Sequence, residues 1–186
     1  MKTKLDKNVE INMNNNFISN LPDPIDKNDA STKGYTDRKK IKSNIGYVPQ
    51  LSSNNNNKYG FTVTTNSELI VNSAFKVFNS FEQNWRTNRI HRDFWIKLKC
   101  PEEIKIHKFS LKGAGPEKII SWSLQGSNDD EVWTDLYIAM NEFIGTDFSF
   151  YHTNPNKGAF NYFRIYSIIS DVGSPGLSQW QLYTVN

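Results

Sequence analysis

The run Phe94-Trp-Ile-Lys-Leu-Lys-Cys100 narrows the fold more than any other stretch of the chain. Phe94, Ile96, Leu98 and Cys100 fall on one side, and Trp95, Lys97 and Lys99 on the other. A period of two is the mark of a strand with one face in a core and one in water. Ile104-Lys-Ile106 continues the pattern, and Phe109-Ser-Leu111 follows with its phase shifted by one. That slip predicts a bulge near His107-Lys108. Ile120, Trp122 and Leu124 are expected on one face, with Ser121, Ser123 and Gln125 opposite. Shorter apolar or alternating runs begin at Phe61, Ser73, Val132, Phe148, Tyr162 and Gln179. Turn residues separate them, Gly126-Ser-Asn-Asp-Asp130 most clearly. Many short strands without a long helical period predict a mostly β architecture, a sandwich or jelly roll.

The first 45 residues are of another kind. Asn14, Asn15 and Asn16 favour turns through bonds to their own backbone, and Pro22 and Pro24 impose an extended path. Asp26 or Asn28 would cap a short polar helix over 29–42, whose sizeable apolar groups are Ala30, Tyr35 and Ile41. Such a helix is marginal alone and needs a partner surface. The chain therefore divides into a short extended or helical stem, 1–45, and a β domain, 46–186.

Composition excludes several classes. A net charge of +3 on 186 residues is too weak to argue for nucleic acid. The single cysteine, Cys100, permits no intrachain disulfide, which fits intracellular synthesis. Met1 to Val9 carry charge but no apolar core of a signal peptide, and no run approaches the roughly 20 apolar residues of a membrane span.

The order of residues in the β domain is more specific than its strand count. Trp95-Ile-Lys-Leu98 precedes Ile104-Lys-Ile-His-Lys-Phe-Ser-Leu111. Then come Trp122-Ser-Leu-Gln-Gly-Ser-Asn-Asp129, Trp133-Thr-Asp-Leu136, Tyr162-Phe-Arg-Ile-Tyr166 and Gly176-Leu-Ser-Gln-Trp-Gln-Leu182. This series resembles the discoidin, or coagulation-factor C-type, domain. The resemblance implies a galactose-binding-like β-sandwich jelly roll that binds glycans, lipids or proteins. Where such domains carry an acidic stretch before a tryptophan, this chain has Asn79-Ser-Phe-Glu-Gln-Asn-Trp85. Hard cations want carboxylate and carbonyl oxygens, so calcium is possible but unsupported by the acidic pattern, and no other cofactor is expected. The terminal disulfide of many extracellular members is absent too.

The stem resembles a segment of phage and virus fibre proteins. It matches at Ile11, Met13 to Asn16, Ile18, Asn20 to Pro22, Pro24, Asp29, Ala30, Lys33, Tyr35 and Asp37. That resemblance implies a virion location, a homotrimer and contacts with other virion proteins. Phe17, Ile18, Leu21 and Tyr35 are the candidate oligomerisation residues.

Ligand loops of discoidin-like domains lie at one end of the sandwich. The corresponding stretch, 84–93, holds Arg86, Asn88, Arg89, His91 and Arg92. Guanidinium, amide and imidazole groups suit hydroxyls or the carboxylates of acidic sugars; the plainer alternative is a solvated loop. Trp85 reads as a packing residue rather than a stacking platform. Leu69, Ile70 and Val71 form a second loop at the same end and read as core rather than as an exposed spike. Lys97, Lys99, Lys105, Lys108 and Lys112 fall on adjacent strands, as a solvated outer face or as a basic face for phosphate or sulfated glycans.

Catalysis finds no footing. His91, His107 and His152 lack metal-ligand spacing, no phosphate loop or nucleophile elbow occurs, and Glu102-Glu103 point apart in a strand. The expectation is a non-enzymatic attachment protein whose head binds a cell-surface receptor, above all a glycan. The alternative is a virion decoration protein whose head binds another virion protein.

Overall fold

The computed structural model describes residues 46–56, 59–79, 83–88 and 93–184. The candidate oligomerisation residues Phe17, Ile18, Leu21 and Tyr35, the expected helix over 29–42, and loop residues Arg89, His91 and Arg92 lie outside the described residues.

Among the described residues ten strands follow in chain order: β1 Asn55–Asn56, β2 Phe61–Thr65, β3 Trp85–Arg86, β4 Trp95–Ile104 and β5 Ile106–Gly113, then β6 Ile119–Ser127, β7 Thr134–Ala139, β8 Ser149–His152, β9 Phe160–Ser170 and β10 Gly176–Thr184. They form two antiparallel sheets, a long one in the order β1-β2-β4-β9-β6-β7 and a short one in the order β3-β10-β5-β8. Short 3-10 turns occupy Ala74–Phe78 and Pro155–Lys157. The result is the expected β-sandwich of discoidin type.

The alternation in β4 holds as read. Phe94, Ile96, Leu98 and Cys100 are buried, while Trp95 and Lys97 are half-buried and Lys99 exposed. Between the sheets, Ile96, Leu98, Phe163, Ile165 and Leu124 meet Leu111, Leu177, Trp180 and Leu182, all buried. Phe109 and Tyr151 of the short sheet and Trp122 and Tyr137 of the long one form a ring cluster with centroids 5.0–6.0 Å apart. Each such pair contributes about 0.5–1.5 kcal/mol beyond its buried area, which ties the sheets together.

The predicted bulge is present. Tyr183 pairs with Lys108 and Thr184 with Ile106, so His107 is the extra residue. Three other expectations are corrected. Ile119, not Ile120, is buried, because pairing with β9 shifts on both sides of Ser121 and resets the phase at the start of β6. The five lysines do not share a face: Lys97 and Lys99 lie on the long sheet, Lys108 and Lys112 on the short one. The chain changes sheet at Lys105, so β4 and β5, though consecutive in sequence, do not pair. Finally, Ile70 and Val71 are not core. They are 97 % and 72 % exposed, on a surface connection between β2 and the first 3-10 turn, with only Leu69 half-buried.

Candidate ligand site at the loop end

The connection after β2 and the stretch around β3 come together at one end of the sandwich, as the sequence suggested. Two consecutive residues organise it. Asn66 accepts the Trp95 N–H at its Oδ1 (2.8 Å) and donates from Nδ2 to the Asp93 carbonyl (2.8 Å). Ser67 accepts the Asn88 N–H at its hydroxyl (2.8 Å). Both flanks of segment 89–92 are thus anchored to neighbouring side chains.

Trp85 is fully buried, packing edge-on against Phe94 at 5.9 Å, and its indole N–H donates to the Ser67 carbonyl (3.1 Å). The packing reading is correct, and the indole also fixes the Asn66–Ser67 corner. Where β10 passes β3, a Cβ on Gly176 would collide with the Trp85 carbonyl oxygen, so only glycine permits this approach.

Arg86 sits at the edge of this end. Its Nη1 donates to Glu117 Oε2 (2.9 Å) and the Ser174 carbonyl (3.0 Å), and its Nη2 to the Ala114 carbonyl (2.6 Å). The guanidinium beside it holds the Glu117 carboxyl below the usual carboxylate range. Arg86 therefore clamps two connections, β5–β6 through Ala114 and Glu117 and β9–β10 through Ser174, and both its terminal nitrogens are engaged. Asn88, by contrast, is exposed, and its N–H seats it over Ser67.

Asp93 and the sheet rim complete the site. Asp93 adopts a left-handed conformation (φ 57°), which aspartate tolerates better than most residues. Its carboxylate accepts the Tyr166 hydroxyl (2.5 Å), and this bond, with partial burial, raises the Tyr166 pKa. Beside it, Asn54, Asn55 and residues Thr62 to Glu68 line a groove of about 470 Å³. Amide, hydroxyl and carboxylate side chains line it together with Val63, and carbon makes up the larger part of its surface, a mix suited to a ligand with both hydroxyls and C–H faces. Asn66 and Ser67 were not singled out in the sequence, since their partners lie 21 to 29 residues away. Among the described residues no group of three or more His, Cys, Asp or Glu side chains is placed to hold a metal ion, and no helix is long and apolar enough to cross a membrane.

No family model and no curated protein sequence matches the chain. Solved structures do. A selenomethionine-labelled mutant of chitosan-binding module 1, from a chitosanase/glucanase of Paenibacillus sp. IK-5, superposes with a TM-score of 0.57 at 18 % identity, covering 66 % of this chain and 92 % of that one. The Clostridium perfringens module CpGH89CBM32-5, in complex with GalNAc-β-1,3-galactose, gives 0.57 at 13 %, covering 67 % and 95 %. The family 32 carbohydrate-binding module of NanJ from C. perfringens, in complex with galactose, gives 0.56 at 11 %, covering 66 % and 92 %. At these identities the likeness is one of fold. The chain has the galactose-binding-like, discoidin-type β-sandwich shared with carbohydrate-binding modules.

Proposed function

We propose that the β domain is a non-enzymatic glycan-binding module whose ligand site is the loop end, and that the whole chain is a virion fibre or attachment protein. The observation that carries the first part is the anchoring of segment 89–92 by Asn66 and Ser67. Asn88 and Asp93, so fixed, flank a sequence that carries Arg89, His91 and Arg92, and a groove lies beside Asn66 and Ser67. Asn88, Arg89, His91 and Arg92 are the proposed ligand contacts, with Arg86 supporting them from its clamp. Fold neighbours described with galactose, GalNAc-β-1,3-galactose and chitosan support a saccharide ligand. The fibre assignment rests on the stem resemblance, with Phe17, Ile18, Leu21 and Tyr35 as trimer contacts. Three weak sites on one fibre would gain strength through avidity.

A glycan array with the full chain tests this. Binding to a defined glycan class should vanish when Asn88, Arg89 and His91 are together replaced by alanine, with Arg86 retained to preserve the clamp. A folded chain that binds no glycan, or a triple variant that binds as well, would refute the loop-end site. Light scattering should give a trimer that Leu21→Asp disrupts.

A second reading has its own observation. Ile70 and Val71 are exposed at the same end, as a contact to another virion protein would require. Ile70→Ser with Val71→Ser would then abolish incorporation into particles while leaving glycan binding intact.

A further inference from the structure

The outward face of the long sheet carries chemistry that the loop end does not use. One row crosses five strands in register: Thr64 on β2, Lys97 on β4, Arg164 on β9, Gln125 on β6 and Asp135 on β7. With strands about 4.8 Å apart, the row is about 20 Å long. Trp95 and Tyr166 pair on its loop-end side, Lys99 and Tyr162 on the other. Rings and cations interleave. The Arg164 guanidinium carbon lies 4.0 Å from the Trp133 ring centroid and 5.2 Å from that of Tyr166. Lys97 lies 5.0 Å from the Trp95 ring, and Lys99 5.4 Å from Tyr162.

Folding alone gives no reason for this charge pattern. Lys97 and Arg164 stand directly opposite each other, and like charges so placed are destabilising. Asp130 answers Lys97, at 2.6 and 2.8 Å. Arg164 makes no ion pair of its own among the described residues, although Asp130 and Asp135 favour its charge from a distance. Its Nε donates to Gln125 Oε1 (2.6 Å), and Gln125 Nε2 donates in turn to Asp135 Oδ1 (2.7 Å). That chain of bonds sets the guanidinium plane, yet neither terminal nitrogen of Arg164 has an acceptor among the described residues. Lys99 forms no ion pair among them either. A guanidinium with its plane fixed, held between two rings and with its terminal donors unfilled, is prepared for a carboxylate.

The rest of the strip narrows the ligand. Asp130 and Asp135 lie along it, and of its three cations Lys97 is already paired with Asp130, too few to neutralise a nucleic acid phosphate by phosphate. Hydroxyls, an amide and aromatic rings suit a ligand that is mostly hydroxyl groups and C–H faces. We infer that the outer face of the long sheet is a binding strip for a carboxylate-bearing saccharide chain, whose carboxylate Arg164 holds. The strip adjoins the loop end, sharing Thr64 with its groove and Tyr166 with Asp93, but Arg164, the group that holds the carboxylate, is not part of that site.

Isothermal titration of the full chain with tetragalacturonate, its methyl ester and a thymidine oligonucleotide tests the assignment. Tetragalacturonate should bind, and the ester at least about tenfold more weakly, the loss expected for one bidentate charged contact. Arg164→Lys, which keeps charge but loses the fork, should weaken the acid about tenfold and leave the ester unchanged. Lys99→Gln, at an exposed position that folding tolerates, should weaken the acid about twofold. The Asn88, Arg89, His91 alanine variant should bind tetragalacturonate normally, whatever becomes of its array signal. Absence of saturable tetragalacturonate binding would overturn the inference. So would equal binding of the ester, indifference to both Arg164→Lys and Lys99→Gln, loss of binding in the loop variant, or tighter binding of the oligonucleotide.

Discussion

Arg86 and Arg164 are both half-buried arginines on strands of the same sandwich, and they do opposite things. Arg86 gives its terminal nitrogens to a carboxylate and two backbone carbonyls, joining the β5–β6 connection to the β9–β10 connection. Arg164 spends only its Nε, on the neutral amide of Gln125, and faces Lys97 across the sheet. Backbone carbonyls cannot leave and have no better partner, so an arginine they saturate is part of the fold. An arginine oriented by its neighbours but left with open donors keeps its strongest interaction for something outside the chain. Acceptor identity separates these roles where exposure does not.

The largest effect should expose this contrast directly. Arg86→Ala leaves Glu117 without its cation and two carbonyls without donors, and should cost about 2–3 kcal/mol in urea unfolding. Arg164→Ala removes one hydrogen bond and two ring contacts but also relieves the repulsion with Lys97, and should cost less than about 1 kcal/mol. Equal losses would break the distinction, and Arg164 would become a structural residue.

Asp130→Asn sharpens it further. The substitution removes the carboxylate paired with Lys97 and leaves Asp135 as the acidic group nearest the opposed pair, and should destabilise by up to about 1 kcal/mol, less at high salt. No change at any ionic strength would mean that the opposed pair is already screened by solvent.

Acid should affect the two regions differently. The Glu117 carboxyl titrates lower in the fold than in an unfolded chain, because Arg86 donates to it. Its contribution is therefore present above the ordinary glutamate range, near about 4.3, and is lost as pH falls through the lower folded value. Glu117→Gln should flatten the acid side of the stability profile, and Arg164→Gln should leave it as it is. A steep acid limb that survives Glu117→Gln would place the sensitive carboxylate elsewhere, with Asp129 the next candidate. Three hydrogen bonds from the Glu131 and Val132 N–H groups and the Ser127 hydroxyl depress its pKa in the same direction.

What could be read from residues alone follows the range of the interactions involved. The faces of β4 and the bulge at His107 were legible because phase along one strand is a local property. The pattern at Ile119–Ile120 misled because a bulge at Ser121 resets it through pairing with β9. The lysines on β4 and β5 misled for a related reason: no local signal says that the chain changes sheet at Lys105. The loop end was legible in position but not in construction, since Asn66 and Ser67 find their partners across long loops. The polar row through Arg164 was invisible, because it exists only once five strands have taken their register.

The Leu69-Ile70-Val71 run is the sharpest failure and gives the smallest expected effect. Three consecutive apolar residues suggest burial on composition, yet the Leu69 N–H bonds to the Arg86 carbonyl and the Asn72 N–H back to Leu69, which turns the chain over the surface. Only one of three side chains can face inward through such a turn, and Leu69 takes that place. Ile70→Ser and Val71→Ser should each change thermal stability by no more than about 0.5 kcal/mol, because an exposed side chain loses little contact on truncation. A loss beyond about 1.5 kcal/mol from either, the scale of burying a whole aliphatic side chain, would mean that the tip folds inward in solution. The contact surface of the second functional reading would then disappear, and the groove beside Asn66 and Ser67 would be left as the proposed ligand surface of this end.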